Sequence, residues 1–419
     1  METKKTQRTK KPLIAVVLGL AAVLLILGIV LLLSRCDGGN APSANGGDLA
    51  KLLAEEGEKT ITLDEDIILD SSVTINGQKT IVGTGSILLK TELEGQWPQN
   101  TQPSWGMGCI ALEAEDAAAM PAMLQVSKGS SLTIGGSGTI DAEGNANGIL
   151  LEAGASAAVS EGAIIKNGRY ANLVVCKDAD ARISGGELLD GVVYNIINYG
   201  ELDLTDGTVS GAKGGAVIYT TGTAAQSGGT VSGAAYHNVY VAEGSFSMTG
   251  GVNASAAKDG IVVAKDASAE VTGGNVTNCV HGLCNNGQLS TGKVTLSECG
   301  IMNNASGTLN MKDTSVDTSE VYCLDNNGDT VNAENFTASK CDTCAVYNFS
   351  GDMNLKNLTV TGGRDGNISN AGGNLTVDGA LLDTCRDKSV VVGNGKAVLN
   401  DVPIAGTTSE KYGVYVFGG

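Results

Sequence analysis

From Leu132 onward the chain repeats itself, and the repeat decides what it can become. Each unit opens with a short alternating strand, as in LTIGG (132–136), ARISGG (181–186), AEVTGG (269–274) and LTVDG (375–379). A second strand follows a polar turn, as in NGILLE (147–152), DGIVVA (259–264), AVYNFSG (345–351) and YGVYVFG (412–418). Aligning the openings gives thirteen units with steps of 25, 24, 21, 22, 22, 23 and 18, then five of 22. A fixed period in this range marks a solenoid, a propeller or an array. A propeller blade needs about 40 residues, and the framework of a leucine-rich repeat is absent. Each unit offers two or three short strands rich in Val, Ile and Thr, without helical periodicity. Glycine, 59 residues in all, recurs at turns where a positive φ is needed. The reading is one coil of a parallel β-helix per unit. Stacked at about 4.8 Å, thirteen coils span roughly 60 Å.

Asn198, Asn285, Asn326 and Asn370 each precede a glycine by two positions. Two readings stand side by side. They stack as a ladder of side-chain amides, or they are turn residues chosen for tolerance of left-handed backbone.

The N-terminal end is of a different kind. Leu13–Leu33 is an uninterrupted apolar run without a charge. It meets the length of about 20 residues that a helix needs to cross a bilayer, and it is too long for a signal-peptide core. No small-residue cleavage site follows, and Arg35 occupies the place before Cys36 where a lipid-anchoring motif needs a small residue. Residues 1–35 carry a net +5 and residues 36–419 a net −23. The positive-inside rule puts residues 1–12 in the cytosol as a basic tail, 13–33 in the membrane as a signal anchor, and the body outside the cell. Residues 34–47 read as a flexible linker. Residues 48–419 are the β-helix, with a capping helix over 48–57 (Asp48 at its N-cap, a stripe of Leu49, Leu52 and Leu53, a stop at Gly57) and a projecting loop over 91–122. So acidic a body repels phosphate backbones and excludes nucleic acid as a partner.

The chain resembles the right-handed parallel β-helix, pectin-lyase-like, surface proteins of Gram-positive anaerobic bacteria. The residues carrying the likeness are 48–86, DLAKLLAEEGEKTITLDEDIILDSSVTINGQKTIVGTGS, and 123–162, MLQVSKGSSLTIGGSGTIDAEGNANGILLEAGASAAVSEG. The resemblance implies an all-β solenoid of about thirteen or more right-handed coils, closed at its first coil by a short helix. It does not imply an activity, because this fold hosts enzymes and binding proteins alike.

The polygalacturonase motifs Asn-Thr-Asp, Asp-Asp, Gly-His-Gly and Arg-Ile-Lys are absent as a set, and Val280 stands where the glycine before His281 would be. Pectate-lyase-like chemistry needs a basic residue beside calcium-binding acids. Arg364-Asp365 and Arg386-Asp387 come closest, one repeat apart, and also read as salt-bridged surface turns. No cofactor and no metal site is expected. Cys279 and Cys284 are too many coils from Cys341 and Cys344 to share one zinc ion at about 2.3 Å. A disulfide between Cys279 and Cys299 on neighbouring coils is within reach, and buried free thiols are the other reading. Trp97 and Trp105 lie in the 91–122 loop, either as stacking platforms for sugars or as part of an apolar lid. Counted from the unit starts, Arg169, Lys213, His237, Lys258, His281, Arg364, Arg386 and Lys388 share one turn position and form a basic stripe. The functional expectation is a membrane-anchored, non-catalytic surface protein that binds an acidic polysaccharide or another surface protein. The alternatives are a polysaccharide lyase or glycoside hydrolase, and a structural spacer for a missing C-terminal domain.

Overall fold

A computed structural model describes residues 46–98, 112–383, 385–404 and 412–417. Strands of successive coils pair in parallel throughout. Ten coils contribute two strands each and five a single strand to a 25-stranded sheet, sheet A, and every coil contributes one to a fifteen-stranded sheet, sheet B, which runs from Val73–Ile75 to Tyr412–Val416. The described residues therefore form a parallel β-helix of fifteen coils. Two coils precede the repeat read from Leu132: Ile61 pairs with Ile81, and Ile81 with Ile134. The second of them carries an insertion that stretches its step to the next coil, and the period is hidden there.

The register corrects one more detail. Val271, Thr291 and Met311 stack in succession, so two equal coils replace the unequal steps of 18 and 22. From Met311 the column runs on through Ala333, Leu355, Val377 and Leu399, one per repeat. These side chains point inward because strand residues alternate between faces. The core is one continuous cluster from Leu49 and Leu53 to Val390 and Val392.

The helix α1, Gly46–Ala54, lies against the first coil. It starts two positions before the one read from the sequence, so Asp48 sits in its first turn. Leu49 and Leu53 are fully buried. Its exit is tied down by Lys79, 2% exposed, whose ammonium donates to the carbonyls of Glu55 at 2.8 Å and Gly57 at 2.7 Å. Gly57, at φ +95°, makes the turn into the first strand. The cap thereby covers apolar interior that an open coil would expose.

The buried asparagines form a ladder. Asn285, Asn303, Asn326, Asn348 and Asn370 stand on five successive coils, and each amide donates to the next carbonyl oxygen at 2.8, 2.9, 2.8 and 2.7 Å. Asn198 lies on an earlier coil and bonds to Thr220. None of the four asparagines singled out in the sequence has a positive φ. The glycine two positions on has its own reason. The N–H of Gly328 donates to Asn326 Oδ1 at 3.1 Å, and a Cβ at Gly328 would stand 2.6 Å from Asn303 Nδ2.

Among the described residues no helix is long and apolar enough to cross a membrane. The tail, the Leu13–Leu33 span and all of the linker before Gly46 lie outside the described residues.

Candidate functional site

The described residues of the second coil's insertion lie back on the solenoid. A short helix, α2, Ala114–Ala119, and its flanks cover the outer face of sheet B over the early coils. Leu112, Ala117 and Met120 pack on Leu150, Val174, Ile197 and Tyr219. The Tyr199 hydroxyl donates to Leu112 O at 2.6 Å. Trp97 packs at the edge of this cover, and its ring is occupied by the Arg169 guanidinium at 4.6 Å; Arg169 also pairs with Glu92. Trp97 therefore belongs to a lid over an outer sheet face. Trp105 lies outside the described residues.

Of the expected basic stripe, Arg169, Lys213, Lys258, Arg364 and Arg386 share a corner, the turn leading into sheet B, and Lys388 opens a strand of that sheet; most of the six meet a partner there. Arg364 stands between Asp342 at 3.7 Å and Asp365 at 3.6 Å, all three about half exposed. Arg386 stacks on it, its N–H donating to Arg364 O at 2.9 Å. Lys388 pairs with Asp387 at 2.5 Å. Lys258 sits over the Tyr236 ring at 5.7 Å. Lys213 is exposed. Such pairing leaves little free positive charge at this corner.

His237 and His281 go elsewhere. They stack above and below Asp259 on three successive coils of sheet B. His281 Nδ1 lies 2.8 Å from Asp259 Oδ1 and His237 Nδ1 lies 3.0 Å from Oδ2, the second close but poorly aligned for a hydrogen bond. Burial pushes the Asp259 carboxyl up, yet the two imidazoles at its oxygens prevail and hold it at about 2. Asp259 is thus an ionised, buried anchor. The Nδ1–H of His281 points at it.

Three coils further on, Asp325 occupies the outer face of sheet B between inward-facing Leu324 and Asn326. It is 8% exposed, and its Oδ1 has no hydrogen-bond partner. Burial pushes its carboxyl up to about 6, with His281 pulling the other way. Tyr322, from its own coil, and Tyr347, its register partner on the next, stack with ring centroids 4.6 Å apart and planes within 8°.

A groove lies on the other sheet. It has a volume of about 500 Å³ and runs along the outer face of sheet A. Its floor is a second asparagine stack: Asn354 Nδ2 donates to Asn332 Oδ1, and Asn332 Nδ2 to Asn310 Oδ1, each at 3.0 Å. Ser290 and Thr376 extend this column at its two ends. Beside it runs Lys312, Glu334, Lys356 and Asp378, one per coil and alternating in sign; Lys356 pairs with Glu334 at 3.2 Å. The groove therefore offers repeated amides and hydroxyls with almost no net charge.

The cysteine pairing differs from the expected one. The disulfide joins Cys323 to Cys341, and Cys279 and Cys299 are buried free thiols. Their sulfurs donate instead to Thr277 O and Val276 O. Side chains stacked on one column run side by side, whereas Cys323 and Cys341 face each other across a corner. Burial pushes Cys299 up to about 12, so it is an inert thiol. Among the described residues no three acidic, histidine or cysteine side chains are grouped to hold a metal.

Asp259, Asp325, Tyr322, Tyr347 and the outer asparagines were not singled out from sequence. Two signals were available: His237, Asp259 and His281 lie one repeat apart, and so do Asn310, Asn332 and Asn354.

No family model matches the chain, and no curated protein matches it. Among solved structures, the Streptococcus pneumoniae surface protein and adhesin PfbA aligns over 89% of this chain and 94% of that one, at 10% identity and a TM-score of 0.19. At that score the alignment carries no argument, and the fold rests on the strand register above.

Proposed function

We propose that the chain is a membrane-anchored cell-surface protein that holds a linear, electrically neutral polysaccharide along sheet A, without cleaving it. The observation that carries this is the amide column Asn310–Asn332–Asn354 inside the groove, beside a Lys/Glu column that neutralises itself. Each outer amide is bonded to its neighbours on one edge and keeps capacity for a ligand on the other. One identical hydrogen-bonding group per coil suits a polymer of identical units, whose weak contacts sum along the groove. An anionic polymer fits less well, because the body carries −23 and the stripe cations are largely engaged. The surface location rests on the Leu13–Leu33 run and its basic flank, and the Cys323–Cys341 disulfide suits an oxidising compartment.

The test is a glycan array probed with the full-length protein in detergent at low and high salt. Neutral polysaccharides should be retained at both, since exposed charge pairs are screened at high salt and neutral contacts are not. Binding confined to anionic glycans and lost with salt would return the argument to the stripe. Shortening of the bound polymer would support the lyase or hydrolase reading instead.

A further inference from the structure

Asp325 is a carboxyl that the fold has buried without giving Oδ1 a donor. A buried acceptor without a partner costs free energy, and such groups are uncommon enough to call for an explanation. Its surroundings name the missing partner. Tyr322 and Tyr347 stack beside it, and Phe349, 56% exposed, stands 6.4 Å from Tyr347. Aromatic faces attract cations through the ring quadrupole, and a carboxylate attracts them through charge. A neutral ligand would leave the carboxylate's charge unanswered, and an anion would be repelled by it.

We propose that Asp325, Tyr322 and Tyr347 form a second binding site, on the outer face of sheet B, for a protonated primary amine carried by an amino sugar. This site is independent of the groove on sheet A. The ammonium donates to Asp325 Oδ1 and rests against a tyrosine face, while the apolar face of the sugar ring packs on the aromatic surface that extends to Phe349. The net charge of the body draws such a cation in from a distance. The titratable groups facing Asp325 are Tyr322, Tyr347 and His281. Of these, Asp325 is the one whose titration opposes an ammonium ion as pH falls. It loses its charge as pH falls through about 6.

The experiment is a calorimetric titration of the full-length protein with a fully deacetylated glucosamine oligomer and, separately, with its N-acetylated counterpart. The deacetylated oligomer should bind at least tenfold more tightly near pH 7, and this preference should shrink at higher pH as the amine loses its proton and at lower pH as Asp325 gains one. Asp325→Asn, close to isosteric, should abolish the preference, with unchanged circular dichroism confirming the fold. Tyr347→Leu should weaken it while leaving the carboxylate in place. Equal binding of the two oligomers, or a preference that survives Asp325→Asn, would overturn the proposal. Selective binding of a lysine-containing peptide, with no response to the oligomer, would overturn the amino-sugar assignment.

Discussion

Two asparagine stacks run side by side through the same coils, one inside the β-helix and one outside it. Their amide-to-amide distances are nearly equal, 2.7 to 2.9 Å inside and 3.0 Å outside. The difference lies in what else each amide touches. Inside, Asn326 donates to Asn348 Oδ1 and to Ser350 O, and accepts from Asn303 and from the Gly328 N–H. Every donor and acceptor is used, and none meets water. Outside, Asn332 bonds to its two neighbours and faces solvent with the rest. The same chemistry is a structural spine on one face and an open binding surface on the other. Burial decides which, because an unmet polar group is costly only where water cannot reach it.

The sharpest way to break the comparison is to remove one amide from each stack. Asn326→Ala strips partners from Asn303, Asn348 and Gly328 at once and should cost about 3 kcal/mol or more, read as a lower denaturant midpoint. Asn332→Ala should move the midpoint by no more than about 0.5 kcal/mol, as an exposed substitution does. Equal losses at the two positions would mean that the outer stack is also structural.

The next largest effect belongs to Asp259. Its carboxyl is held below its ordinary value, at about 2, so the folded state favours the ionised form. That contribution is complete above the unfolded value near 3.9 and fades as pH falls towards 2. Asp259→Asn should therefore cost about 2 kcal/mol at pH 7 and much less near pH 2, measured by thermal melting across pH. A loss that does not depend on pH would show that packing, not charge, sets the role of Asp259.

Asp325 has the opposite sign. Its carboxyl is raised to about 6, so the folded state favours the protonated form. The stability this gives is present below about 4 and is lost as pH rises through 6. Asp325→Asn should leave the melting temperature unchanged at pH 4 and raise it by a few degrees at pH 7.5. A variant destabilised at both values would mean that the carboxylate has a partner in the folded protein.

Much of the architecture was legible because every coil reuses the same inward positions. Leu309, Val331, Met353 and Leu375 recur once per repeat, and the core enforces that recurrence. The first two coils fell within the expected β-helix over 48–419 but were not counted in the repeat, since the insertion after Leu89 breaks the period. The disulfide was missed for a related reason. Cys279, Cys299, Cys341 and Cys385 attract notice by recurring at one turn, and the actual partner, Cys323, lies at a different point of the coil. Charge patterning misled in a physical way as well. Sequence shows that cations recur at one corner, but not that Asp342, Asp387 and the Tyr236 ring wait beside them. Asp325 was invisible, since only three-dimensional burial distinguishes it from any other strand aspartate.

The central claim is that the outer amide stack is a ligand surface and the inner one is not. Side-chain amide resonances of asparagine report this directly, in protein titrated with a neutral linear oligosaccharide that the array selects. The account predicts that the amides of Asn310, Asn332 and Asn354 shift progressively with ligand, while those of Asn303, Asn326 and Asn348 hold their positions. Binding that leaves the outer amides unmoved, or that shifts inner and outer amides alike, would contradict it.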